Sequence, residues 1–328
     1  MNQTAQFLFA LGAILLLGLA ADFLGRRTFL PRVTLLLLVG ILVGDQVLGL
    51  IPATLGARFE VIANLALLMV GFLLGGQLTL KSLRGMGRQL LWISLCATLA
   101  SVLVVTLALS AFGLPPEIAL LLGCIAAATA PAATADTVIE SGRTGPFCRL
   151  LLAIVAIDDA WALILFSVAL AAVSILNGVG SMDAQLLTAV HEVFGAVALG
   201  LTIGVPAAYL TGRLTPGQPM LTEALGLVFI CGGAAIWLDV SFLISAMAMG
   251  AVIANLATHH DYPFHEIENI EWPVMVVFFM LAGASLEIGM LRELGLVGLI
   301  YLLARTVGKV SGAWLGARLS DAGPAVER

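Results

Sequence analysis

Apolar runs of about 20 residues recur from one end of this chain to the other, the length a helix needs to cross a bilayer. A backbone in lipid must satisfy every N–H and C=O within itself, which leaves a helical bundle or a closed barrel. Barrel strands alternate apolar and polar residues over about 10 positions, whereas "TLLLLVGILVG" is apolar on every face. The expected fold class is an all-α polytopic membrane protein. Charge agrees, since 11% of the 328 residues are charged against about 25% in soluble domains. A soluble enzyme is excluded. So is a nucleic-acid partner, because the 15 basic residues are scattered singly in a chain of net charge -5. Cys96, Cys124, Cys148 and Cys231 lack metal or CxxC spacing and read as small core or lipid-facing residues.

About eleven helices are expected, near residues 5–24, 33–50, 59–79, 88–112, 117–140, 147–176, 184–211, 219–237, 241–257, 268–287 and 291–318. Between them fall turn formers and charges, as in "GRRTFLPR", "SLRGMGR" and "ESGRTGP". Counted in alternate connections, Arg26, Arg27, Arg32, Lys81, Arg84, Arg88, Arg143, Arg149, Arg213, Arg318 and Arg328 fall on one side and only Arg58 and Arg292 on the other. By the positive-inside rule the N-terminus is outside and the C-terminus cytoplasmic.

An internal repeat is visible. "VGILVGD" at 39–45 pairs with "MGAVIAN" at 249–255, and "FLLGGQ" at 72–77 with "FMLAGA" at 279–284. An odd number of helices separates the partners, so the repeats are inverted, the organisation of many transporters. The first repeat spans about 5–176, a linker helix about 184–211, and the second repeat about 219–328. Counterparts of the fifth and sixth helices would fall near position 328, so about 11 of an expected 13 helices are anticipated.

Asp158 and Asp159 stand side by side in "LLAIVAIDDAWALILF", about 17 Å along the sixth helix and close to the bilayer midplane. Each intramembrane Asp costs at least about 2.5–3.5 kcal/mol, so the pair needs water, a cation or a counter-charge. Adjacent carboxylates repel when both are ionised, and a small cation or a proton relieves that repulsion. Competition of the two for one site is itself an exchange mechanism, provided the site faces one side of the membrane at a time.

Pro131, in "GCIAAATAPAATADTVIESG", removes a donor in the middle of the fifth helix. Either the helix kinks there or it breaks at Ala130 and Pro131, freeing backbone groups at membrane depth with Thr129 and Thr134 as hydroxyl ligands. Asp136 reads as a solvated residue near the helix end. In the last helix Arg305 and Lys309 are four residues apart, so both are expected to point at the carboxylates as counter-charges, although Lys309 could instead snorkel to the headgroups. Gly308, Gly312 and Gly316 form a small-residue stripe suited to close packing. His259, His260 and His265, with Asp261, Glu266, Glu268 and Glu271, read as a solvated polar loop; His191, Glu192 and Glu223 read as interfacial.

The aspartate pair, the "TAPAAT" break, the "K-x-x-G-x-x-x-G" helix about 150 residues on, and "LPRVTLLLLVGILVGD" together resemble the monovalent cation:proton antiporters, especially bacterial sodium/proton exchangers with a paired-aspartate motif. The resemblance implies an inverted-repeat fold with a discontinuous helix, and a homodimer whose six-helix core moves elevator-like in a bacterial inner membrane. It implies antiport of Na+, or Li+ or K+, against H+, with no resident cofactor. Asp159 would be the main ligand of cation and proton, Asp158 its neighbour and Lys309 the partner of Asp158 in the cation-free state. Thr129 would lie at the crossing, and Ala130 stands where relatives often carry an Asp.

A non-transporting cation-binding or sensor domain is the alternative, with a K+/H+ efflux antiporter as a variant of the first reading. An intramembrane aspartyl protease fits poorly, because Asp158 and Asp159 differ by about 100° around one helix and cannot flank a water.

Overall fold

The computed structural model describes residues 3–25, 27–28, 30–80, 84–143, 145–176, 182–211, 220–257 and 261–321. His259, His260, Arg26, Lys81, Arg213 and Arg328 lie outside the described residues.

The described residues form thirteen helices and no strand. In chain order they are α1 (Gln3–Gly25), α2 (Arg32–Val43), α3 (Ala53–Gly56), α4 (Phe59–Gln77), α5 (Gly87–Ala111), α6 (Pro116–Ala127), α7 (Pro131–Glu140), α8 (Pro146–Leu176), α9 (Met182–Thr211), α10 (Met220–Trp237), α11 (Phe242–Leu256), α12 (Asp261–Ala284) and α13 (Ile288–Leu319). Among the described residues, eight segments are long and apolar enough to cross a membrane, and three more apolar helices are shorter.

Two expected boundaries are corrected, and the break anticipated at Ala130 and Pro131 is found. The second helix stops at Val43 rather than near 50, because Gly44 leaves the helical conformation and a turn closes through Gly49 at φ 60°. The segment from Asp261, expected as a loop, is the start of α12; its apolar positions Ile267 and Ile270 pack inward and override the polar composition. The fifth helix is two helices, α6 and α7, with an extended link at Ala128 and Ala130.

The helices pack in two groups. In one, α5 is sandwiched by α6, α8 and α13; in the other, α4 packs on α11 and α12, α12 also on α2 and α10, and α9 on α11. The repeat motifs make corresponding crossings in the second group. Gly40 of α2 and Gly44 just after it lie on the Met280 and Ala284 backbone of α12, and Gly71 and Gly75 of α4 lie on Leu243 and Met247 of α11. Contact advances in the same chain direction on both partners, so each crossing is parallel. Gly250 meets the Phe72 carbonyl and Gly283 the Leu37 carbonyl, closing each crossing from the other side. The two crossings are the same solution used twice.

The stripe of α13 behaves as its spacing suggests. Gly308, Gly312 and Gly316 face the backbone of Ser101, Cys96 and Trp92 on α5, running antiparallel to it. A Cβ at any of the three would collide with backbone atoms. Gly312→Leu should therefore separate α5 from α13 at a cost of about 1–3 kcal/mol or more, seen as a lower melting midpoint of the detergent-solubilised protein, while Gly56→Leu, with open space around it, should melt like the parent.

Candidate functional site

Asp158 lies at the middle of α8 and is 2% exposed. One of its oxygens, Oδ2, accepts from the Lys309 ammonium at 2.6 Å and from the Thr129 hydroxyl at 2.8 Å. Lys309 also donates to the Thr129 oxygen at 2.8 Å, closing a triangle. The three corners come from α13, α8 and the link between α6 and α7. Lys309 points inward to the carboxylate rather than snorkelling to a headgroup. Asp159 is half-buried and has no hydrogen-bond or ion-pair partner among the described residues, although Asp158 and Lys309 are both close enough to act on it electrostatically.

The break that places Thr129 follows from local rules. Pro131 takes a first-turn position of α7, where its missing N–H costs nothing. Ala130, the residue before it, is pushed to extended backbone, φ -66° and ψ 106°. Ala130 offers no side-chain acceptor, so the N-terminus of α7 keeps its positive dipole end open beside the site. The opposite end is closed: Arg305 donates Nε to the Ala126 carbonyl at 3.0 Å and Nη2 to the Ala128 carbonyl at 2.8 Å. Last-turn carbonyls of α6, orphaned by the break, find their partner there.

This corrects one expectation: Arg305 caps the broken helix and is not a counter-charge on the carboxylates. Thr134 is also displaced from the site, its hydroxyl bonding the Ala130 carbonyl of its own helix at 3.0 Å.

A cavity of about 720 Å³ ends at the triangle. Its wall includes Asp158, Thr129, Arg305 and Lys309, and it follows α8 from Phe147 through Leu150 and Ile154, with Ala313 and Trp314 of α13 opposite. It thus runs from the end of the bundle where α8 begins to Asp158.

A second charged cluster was not anticipated. Arg32, at the start of α2, pairs with Asp22 of α1 at 3.0 Å and with Asp136 of α7 at 2.6 Å, stacks over Trp272 of α12 at 4.3 Å, and gives its backbone N–H to Glu140. Glu271 of α12 lies close enough to Arg32 and Asp136 to feel both charges. Asp136 is therefore a buried partner and not a solvated helix end, and Arg32 is not a loop charge. One signal pointed this way in the sequence: Asp22 interrupts the apolar run "LLLGLAADFLG". Of the remaining polar candidates, His191 is exposed against the Leu238 carbonyl and His265 is exposed beside Glu268, whereas Glu223 of α10 is partly buried with its Oε1 unpartnered.

Residues 11–326 match the family model described as sodium/hydrogen exchanger, transmembrane. The chain is 27% identical over 317 residues to the ammonium/H(+) antiporter subunit AmhT of Alkalihalophilus pseudofirmus, covering 94% of this chain and 79% of that protein. To the probable Na(+)/H(+) antiporter GerT of Bacillus cereus it is 24% identical over 321 residues, 96% of this chain and 83% of that one. Two structures of the sodium proton antiporter MjNhaP1 from Methanocaldococcus jannaschii share the fold. The one at pH 8 superposes with a TM-score of 0.77 at 22% identity, covering all of this chain and 84% of that chain. The one from electron microscopy gives 0.82 at 19% identity, covering all of this chain and 81% of that chain.

Arg305→Ala should leave two carbonyls at membrane depth without their donor and cost about 1–3 kcal/mol for each, measured as a lower melting midpoint. Arg32→Ala should cost about 3–5 kcal/mol, because it removes the guanidinium shared by two buried carboxylates. Arg32→Lys should restore only part of the loss, since an ammonium cannot reproduce the fork that spans Asp22 and Asp136.

Proposed function

The chain belongs to the transmembrane sodium/hydrogen exchanger family, a transporter of cations against protons and not an enzyme, and from that premise we propose that the pair Asp158 and Asp159 is where a monovalent cation, Na+ first among candidates, and H+ replace one another. The observation that carries the reading is the asymmetry of the pair. Asp158 is already neutralised by Lys309 and Thr129, while Asp159 beside it has no partner among the described residues. Asp159 is the group available to an incoming cation or proton, and Lys309 holds Asp158 while the cation is absent.

The positive dipole end of α7 and the Arg305-capped end of α6 frame the site. The cavity along α8 supplies the route from the membrane side to which the charge count assigns the start of that helix, the cytoplasm. We assign the N-terminus to the outside, the C-terminus to the cytoplasm and the protein to a bacterial plasma membrane, where it works as a homodimer. The names of the relatives include both sodium and ammonium, so ammonium joins Li+ and K+ among the cations to compare.

Competition fixes the sign of the pH dependence. Raising the pH removes the competing proton, so apparent cation affinity should rise with pH, by up to about tenfold per unit for each proton displaced. In everted vesicles carrying an imposed proton gradient, Na+ addition should dissipate the gradient, and Asp159→Asn should abolish the response at equal protein level. A response unchanged by that substitution, or one insensitive to pH, overturns the assignment.

A further inference from the structure

Three hydroxyl side chains on α5, those of Ser94, Thr98 and Ser101, are fully buried. Two are spoken for. Ser94 donates to the Leu91 carbonyl at 3.3 Å and accepts from the Trp161 indole at 3.3 Å, and Ser101 donates to the Ala97 carbonyl at 2.7 Å. A threonine inside a helix commonly turns its hydroxyl back to the carbonyl four residues earlier; on α13 Thr306 does so, to Leu302 at 2.8 Å. The Thr98 hydroxyl does not, and makes no hydrogen bond of good geometry.

Thr98 stands instead beside the Asp158 carboxyl group, across the contact of α5 with α8. The Oδ1 oxygen of that carboxylate is buried and equally unpartnered, while its twin Oδ2 takes both Lys309 and Thr129. A hydroxyl oxygen and a carboxylate oxygen that face each other, with no other partner and no hydrogen bond of good geometry between them, are two hard oxygen donors of the sort that replace water around an alkali cation. Buried polar atoms in proteins are mostly paired; the other unpartnered ones here, Arg32 Nε, Asp136 Oδ2 and Glu223 Oε1, lie apart from this site.

We infer that Thr98 is a specificity-determining ligand: its hydroxyl oxygen and Asp158 Oδ1 form, with the neighbouring Asp159 carboxylate, the seat of the transported alkali cation on the side of Asp158 that Lys309 does not occupy. The inference rests on the antiport reading of the aspartate pair and adds to it a ligand from a third transmembrane helix. It also gives Asp158 two separate tasks, one for each oxygen. Because α5 carries this ligand and also receives the glycine stripe of α13, the packing that brings Lys309 to one oxygen fixes the distance of Thr98 from the other.

The test compares Thr98→Val, which keeps the shape and removes the oxygen, with Thr98→Ser, which keeps the oxygen. Each protein is measured in proteoliposomes for Na+-driven and Li+-driven proton exchange. Each is also measured in detergent for the rise in melting midpoint on adding NaCl or LiCl, with choline chloride as the control. Thr98→Val should raise half-saturating Na+ by about tenfold or more, change the Na+/Li+ ratio and lose most of the cation-dependent rise, whereas Thr98→Ser should stay within about threefold of the parent.

Thr98→Ala serves where the valine variant does not fold, with the same expectation. Parent-like half-saturation and Na+/Li+ ratio in the variant lacking the oxygen overturn the inference while the antiport reading stands. So does a loss confined to maximal rate, which is what a merely structural threonine gives. A parent protein with neither exchange nor cation-dependent stabilisation overturns the antiport reading, and the Thr98 assignment with it.

Discussion

An ionised carboxylate at the centre of an apolar bundle needs a positive charge within hydrogen-bond reach, and much of this architecture serves to bring one to Asp158. The ammonium of Lys309 sits on α13 and must arrive within contact distance of a carboxylate on another helix. Three glycines at spacing four remove the side chains that would hold α13 away from α5. The third corner, Thr129, comes from backbone that is not helical at all. Exposed backbone in lipid is costly, and Arg305, one turn before Lys309 on the same face, takes up the carbonyls the break leaves behind. The two basic residues are thus complementary: one neutralises a side chain, the other repairs a backbone.

Much of this was legible in the sequence, for physical reasons that can be named. Hydropathy gives span positions because lipid allows so few backbone structures, and the eleven expected segments are found with shifted ends. Asp158, Asp159 and Lys309 stood out because charge is so rare in these runs. The break was signalled by Pro131 among small residues. What the sequence concealed was direction. Arg305 and Lys309 share a helical face, and periodicity alone sends them to one target, whereas the orphaned carbonyls of Ala126 and Ala128 compete for the guanidinium and its fork suits two acceptors. Thr134 flanks Pro131 on one side as Thr129 does on the other, but it falls inside α7, where the backbone claims its hydroxyl.

Asp136 and Arg32 were misread for a related reason. Both are close to helix ends, where charges are ordinarily hydrated, and helix ends are assigned from one chain segment at a time. Burial at such an end depends on four separate helices converging there, α1, α2, α7 and α12. No local pattern carries that. The inverted repeat, by contrast, showed itself in short motifs because each holds the glycine of a helix crossing, where any larger side chain would meet backbone.

The Arg32 cluster also has a geometrical meaning. Arg32, Asp22 and Trp272 belong to α2, α1 and α12, which pack on one another, whereas Asp136 lies on α7, which continues the broken helix begun by α6 in the other group. An ion pair at 2.6 Å is a short ruler: sliding α7 by one helical turn, about 5 Å, would exchange it for water or for another partner. The 2.6 Å pair therefore records one relative placement of the two groups, and Arg32 and Asp136 mark the points between which any other placement would be measured.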